Sequence, residues 1–190
     1  RLLIKGELFD IAKEVIPQAN SDNNIAIYTS EINLAARGFI SSLASILEKG
    51  AIILIDYGFG HGEYYHEQRN RGTMMCHYRH HAHDDPFYFP GLQDITSHVD
   101  FTSISDAATR EGLQLLGYTS QAQFLINCGI TEILSRIPVD NTGDYLPMSN
   151  QMQKLVSPAE MGELFKVIAL GKENQQTLIG FENGDKSFLL

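Results

Sequence analysis

Apolar positions recur along this chain at two different spacings, and each change of spacing marks an element. Residues 2–16, LLIKGELFDIAKEVI, alternate loosely around Lys5-Gly6-Glu7, which predicts a short β-hairpin leading to Pro17. A polar loop follows at 18–24, and residues 25–29 read as a short strand. Ser30-Glu31 then opens a helix with apolar residues at Leu34, Phe39, Leu43, Ile46 and Leu47, stopped by Lys49-Gly50. Residues 51–55, Ala-Ile-Ile-Leu-Ile, are continuously apolar and β-branched, as in a strand buried on both faces. Further on, Asp100 and Thr102 can cap a helix over 103–111 that stops at Gly112, and 113–118 is the next strand. A helix from Thr119-Ser120-Gln121 runs through Phe124, Leu125, Ile130, Ile133 and Leu134 and ends before Pro138. Beyond a polar loop holding Asn141-Thr142-Gly143 and Pro147 come a helix at 149–156, a strand at 164–170 and a last hairpin arm at 177–181. Alternating helix and strand predicts a three-layer α/β domain with parallel pairing.

Composition narrows the function classes. The chain has 190 residues, of which 43% are apolar, enough to bury a core. No apolar run reaches the length of a membrane span. The formal net charge of −9 disfavours a non-specific nucleic-acid binder and favours a basic partner. Cys76 and Cys128 are far apart and belong to no zinc-ligand spacing, so both read as reduced thiols of an intracellular protein.

Candidate chemistry is concentrated at 56–101, which holds all seven histidines and five of the eight tyrosines. In open α/β sheets ligands sit beyond the carboxyl ends of strands, so a run ending in Asp56-Tyr57-Gly58 directs its polar residues toward a site. Gly58-Phe59-Gly60-His61-Gly62 alternates glycines, but aromatic and charged residues follow instead of an apolar helix, so it is not a nucleotide loop. The segment from His77 to Asp85 is similar to the HxHxDH signature of the metallo-β-lactamase superfamily without its last histidine. A metal-dependent hydrolase is therefore one alternative, against an exposed strand and loop whose histidines face solvent, and no residue is assigned as a metal ligand.

The segments GAIILIDYG, RGTMMCHYRHHAHDDP, PGLQDITSHVDF and QAQFLINCGI, continued by SPAEMGELFKVIALGK, resemble the MidA-type family of S-adenosylmethionine-dependent methyltransferases, whose mitochondrial members assist assembly of respiratory complex I. The resemblance implies a Rossmann-like class I methyltransferase fold in which 51–55, 113–118 and 164–170 are the fifth, sixth and antiparallel seventh strands. It implies that residues 1–190 are the C-terminal part of one domain, with 1–24 an inserted hairpin and loop, 25–190 the sheet-and-helix core, and 58–101 the site loop. The cofactor would be S-adenosyl-L-methionine, held by residues expected upstream of Arg1. The acceptor would be a protein arginine or similar nitrogen, possessed by a respiratory complex I subunit or another protein, in bacterial cytoplasm or the mitochondrial matrix. A guanidinium is matched by carboxylates and aromatic faces, so Asp56, Asp94 and Asp100 are the catalytic candidates, and Tyr57, Gly58, Glu63, Tyr64, Arg71 and His98 the substrate-binding ones. Asp100 also reads as a helix cap, and Arg71 as tied to a loop acid. The rival to an enzyme is a non-catalytic assembly module that holds a basic partner protein, and a homo-oligomer is expected.

Overall fold

The computed structural model describes residues 5–15, 27–174 and 176–190. Its elements are α1 (Glu7–Val15), α2 (Leu34–Ile46), β1 (Gly50–Phe59), α3 (His61–Tyr64), β2 (Met75–Tyr78), β3 (His81–His83), β4 (Asp94–Thr96), β5 (Val99–Asp100), α4 (Phe101–Arg110), β6 (Gln114–Ser120), α5 (Gln121–Asn127), α6 (Ile130–Ser135), α7 (Thr142–Val156), α8 (Met161–Leu164) and β7 (Phe165–Lys172). The larger sheet has the order β5-β1-β7-β6, with β7 antiparallel to both β1 and β6 and β5 parallel to the end of β1. One face carries α2 and α4, whose Ile40, Ala44, Phe101, Ile104 and Ala108 pack on Tyr118, Ile168 and Leu170. The other face carries α5 and a 3-10 turn, Ile179–Phe181, with Phe124 and Phe181 against Val167 and Ala169. The result is the three-layer α/β arrangement predicted from the sequence, with β7 inserted between the strands read as fifth and sixth; within this sheet the expected parallel pairing is confined to β1 with β5, because β7 runs antiparallel to both its neighbours.

Several elements differ from expectation for identifiable reasons. The hairpin expected over 2–16 is, over its described part, helix α1: Leu8, Ile11 and Val15 recur at helical spacing, and Ile11 and Val15 are buried against Tyr64 and Tyr65. Residues 2–4 and 16–26 lie outside the described residues, and of the strand expected at 25–29 only an isolated parallel bridge, Thr29 to Arg71, is described. The long helix after Ser120 breaks at Gly129, whose φ of 81 turns the chain between α5 and α6. Pro147 falls within α7, which therefore starts earlier than expected, at Thr142. The last hairpin arm is the 3-10 turn instead of a strand.

The central strand is not buried on both faces. Ile52 and Leu54 pack toward α2 and α4, whereas Ile53 and Ile55 are 48% and 50% exposed. From Gly50 to Tyr57 one edge of β1 pairs with β7, while its other edge finds a partner among the described residues only at Gly58 and Phe59. Thus β1 combines the sequence of an internal strand with an uncovered edge and an uncovered face. Between β1 and β5 the chain leaves the main sheet and forms a second one, in the order β3-β2-β4. Its hairpin turns at Arg79 and His80, both with positive φ (48 and 66), the sense that matches strand twist in a two-residue turn.

Candidate functional site

At the carboxyl end of β1, Tyr57 and Phe59 project from the same face, two residues apart, and the imidazole of His98 is wedged between them. Its centroid lies 5.2 Å from Tyr57, edge to face, and 5.1 Å from Phe59. The backbone at His98 is fixed on both sides: its N–H donates to Thr73 Oγ1 at 3.1 Å and its carbonyl accepts from Tyr64 OH at 3.2 Å. Burial pushes the His98 pKa below its ordinary value, and the Arg69 guanidinium adds to this against the opposing carboxylates of Glu31 and Asp56. Nδ1 of His98 is buried without a hydrogen-bond partner.

Glu31 anchors this arrangement. Its carboxylate accepts from the backbone N–H of Thr73 (3.0 and 3.1 Å) and of Met74 (3.1 Å) and from Thr73 Oγ1 (3.1 Å), while its main-chain carbonyl accepts from Tyr65 OH at 3.0 Å. A Cβ on Gly72, whose φ is +75, would collide with the same carboxylate, which accounts for the glycine at this turn. Tyr64 is 3% exposed, and burial raises its pKa to about 12, so the phenol stays a neutral donor. Glu31, Tyr64, Tyr65, His98 and Asp100 share a small cavity of about 40 Å³. A second cavity, of about 380 Å³, opens at the same end of the sheet between Gly60, Glu63, Tyr118, Glu163, Lys166 and Lys186.

The structure gathers some of the residues singled out from sequence and separates others. Asp56 is exposed beside Tyr57, with Oδ1 accepting from the Tyr57 N–H at 2.8 Å. Gly58 is buried against β5, where a side chain would overlap the Val99 backbone. Glu63 pairs with Arg69 at 3.2 Å, and the Arg69 guanidinium lies 4.1 Å over the Phe59 ring. Asp100 caps α4, accepting from Ser103 N at 3.3 Å and from Ser103 Oγ at 2.6 Å, with His61 Nδ1 at 3.6 Å. Asp94 stands on the second sheet opposite His77, exposed. Arg71 makes no ion pair with a loop acid among the described residues; it lies in an isolated parallel bridge with Thr29, whose N–H donates to the Asn70 carbonyl at 2.9 Å.

The histidine-rich run does not converge. His81 and His83 pair across from Tyr78 and Cys76, His77 pairs with Ala82 on the opposite face, and His80 is in the turn. Among the described residues no three His, Cys, Asp or Glu side chains are grouped as a metal site would require. Sequence reading missed Glu31, Phe59, Arg69 and Thr73 as site components. Only Phe59 carried a signal, through its i, i+2 relation to Tyr57.

A layered sheet whose central strand ends in aromatic and acidic side chains defines a Rossmann-like α/β protein, with the candidate site at the carboxyl end of β1. Residues 6–119 match the family described as "Putative S-adenosyl-L-methionine-dependent methyltransferase", and the chain belongs to that family. It is 27% identical over 143 residues to the zebrafish (Danio rerio) protein arginine methyltransferase NDUFAF7, mitochondrial, covering 74% of this chain and 32% of that protein. A crystal structure of a superfamily member from Burkholderia thailandensis bound to S-adenosyl-homocysteine superposes with a TM-score of 0.90 at 46% identity, over 100% of this chain and 47% of that one. A native crystal structure of an uncharacterised superfamily protein from the same organism gives 0.84 at 52% identity, over 86% and 44%. The chain spans less than half the length of each of these relatives. Among the described residues no helix is long and apolar enough to cross a membrane.

Proposed function

We propose that residues 1–190 form the C-terminal part of one S-adenosylmethionine-dependent methyltransferase domain that acts on a protein arginine or a similar nitrogen. The observation that carries this reading is the Tyr57–His98–Phe59 ring cluster at the carboxyl end of β1, with the exposed Asp56 next to Tyr57 in the chain and its charge acting on His98. Transfer of a methyl group to nitrogen is an in-line displacement at the sulfonium carbon, so the protein's task is to orient the acceptor and strip its water. A guanidinium presents a planar fork of donors that a carboxylate matches, and flat faces that aromatic rings match. Asp56 supplies the first and Tyr57 the second. Asp100 and Glu63, held by the α4 cap and by Arg69, shape the walls, and Asp94 on the second sheet meets acceptor residues farther from the reacting nitrogen. Gly58, Tyr64 and Arg71 set the backbone on which these groups stand.

The cofactor is S-adenosyl-L-methionine, and the residues that hold it lie on strands pairing with the open edge of β1. A respiratory complex I subunit is the acceptor suggested by family resemblance, and the compartment is the bacterial cytoplasm or mitochondrial matrix accordingly. A second reading, a docking module for a basic partner, is favoured by the net charge of −9 and by Phe87, Phe89 and Leu92 standing exposed on the second sheet's loop. Incubating the full-length protein with methyl-labelled cofactor and arginine-rich acceptor proteins, then hydrolysing the products, separates the two. Labelled methylarginine that disappears with Asp56→Asn is the expected result. Binding of basic proteins with no label transferred under any condition would leave the docking module standing.

A further inference from the structure

His98 is held in place both by its backbone and by its ring. Both of its backbone groups are hydrogen-bonded, to Thr73 and to Tyr64, and its ring is confined between Tyr57 and Phe59. Nδ1 is closed off from water and unpartnered, whereas Nε2 has no hydrogen-bond partner among the described residues and is not one of the closed-off atoms, so it is the nitrogen left to meet an incoming ligand. We propose that His98 is the proton acceptor of the methyl-transfer step, taking at Nε2 the proton that the acceptor nitrogen must release. This deepens the methyltransferase reading above and rests on it.

The step balances without another reactant. The acceptor nitrogen's lone pair forms the N–CH₃ bond as the S⁺–CH₃ bond breaks and its electron pair returns to sulfur. The N–H proton passes to Nε2 and from there to water. A guanidinium is an extremely weak acid while its lone pairs are delocalised, but a nitrogen whose lone pair has been committed to a new bond to carbon becomes a strong acid. A base with a pKa below that of ordinary histidine therefore suffices, provided that it is neutral and already in place. The charged groups facing the ring are Arg69 from the turn after α3, Glu31 from the segment before α2 and Asp56 from β1; burial together with Arg69 outweighs the two carboxylates and keeps the imidazole unprotonated near neutrality. Arg69 is itself held by Glu63 and by the Phe59 face, so its charge stays close to the ring.

The test uses the full-length protein with S-adenosylmethionine and a short arginine peptide. His98→Gln keeps a polar atom near the position of Nε2 but cannot take up a proton. It is expected to lower kcat by about 10²- to 10⁴-fold, the usual range for general-base catalysis, with KM changed only a few-fold. It should also abolish the acidic limb of the pH–rate profile. An unmodified kcat with that limb intact would overturn the assignment and leave the methyltransferase reading in place; no methyl transfer by the unmodified protein would overturn both. Should His98→Gln fold poorly, NMR titration of the His98 ring in the unmodified protein decides: a midpoint below that of a free histidine is expected, and a midpoint above neutrality overturns the proposal.

Discussion

Replacing Glu31 with Gln tests whether one carboxylate holds the site loop in place. The side chain keeps its length but loses its charge and exchanges one acceptor oxygen for an NH₂ group. Oriented with its oxygen toward the backbone N–H groups of Thr73 and Met74, the amide would still accept from both, but its NH₂ would replace the oxygen that also accepts from the Thr73 N–H at 3.0 Å and would face the Thr73 and Tyr64 hydroxyls, which would have to rotate to accept. The two backbone N–H groups thereby keep only neutral bonds in place of charge-assisted ones. A charge-assisted bond contributes about 1.5–3 kcal/mol and a neutral one about 0.5–1.5, so the loss is roughly 2–3 kcal/mol. For a chain of this size that corresponds to a fall of about 4–12 °C in Tm. Calorimetry of the two proteins measures the shift, and limited trypsin digestion shows whether cleavage after Arg69 and Arg71 accelerates as the loop loosens. A Tm within about 1 °C of the parent, with an unchanged digestion pattern, would refute the reasoning and reduce Glu31 to a surface residue.

Gly58→Ala places a methyl group in the Val99 backbone of β5, so it should cost about 1–3 kcal/mol and show near-UV circular dichroism changes from the tyrosines around it. Residues 1–190 alone should bind S-adenosylmethionine far more weakly in calorimetry than a protein extended to the relatives' length, because β1 is unpaired along most of one edge among the described residues; equal affinity would be the contrary result. The same open edge and the exposed Ile53 and Ile55 should drive association of the isolated chain, visible in sedimentation and reduced by Ile53→Lys with Ile55→Glu. For Glu163, burial works to raise the pKa but Lys166 and Lys186 outweigh it and hold it below the usual carboxylate value. Its contribution is therefore present above the unfolded-state pKa and lost as pH falls through the folded one. Lys186→Met should flatten the acid side of the stability curve, and an unaltered pH dependence would remove that pair from the account.

The layers of the fold were legible in the sequence because β1, β6 and β7 are apolar runs bounded by glycine and polar turns, and because Asp100 sits one residue before an amphipathic helix. The burial of β1 was not legible: a continuous apolar run reports what a strand is built to meet, and among the described residues Ile53 and Ile55 meet nothing that covers them. Helix α1 was hidden by Lys5-Gly6, which mimics a hairpin turn, although Leu8, Ile11 and Val15 already carried the helical period. At the candidate site, Tyr57 and His98, singled out through the strand end and the DITSHVDF segment, are in ring contact. Glu31 was missed because its role depends on a partner loop more than forty residues away that no local pattern announces. The histidine-rich run, to which no metal ligand was assigned from sequence, has His77 on the opposite face of the hairpin from His81 and His83, so adjacency in sequence is not convergence in space.

The most direct measurement is a crystal structure of the full-length protein with S-adenosyl-homocysteine and an arginine peptide bound. The account predicts the guanidinium at the carboxyl end of β1, against the Asp56 carboxylate and within hydrogen-bond reach of His98 Nε2, with the cofactor sulfur facing the same nitrogen. A guanidinium seated instead on the second sheet beside Asp94 and His77, with Tyr57 and His98 remote from both ligands, would contradict it.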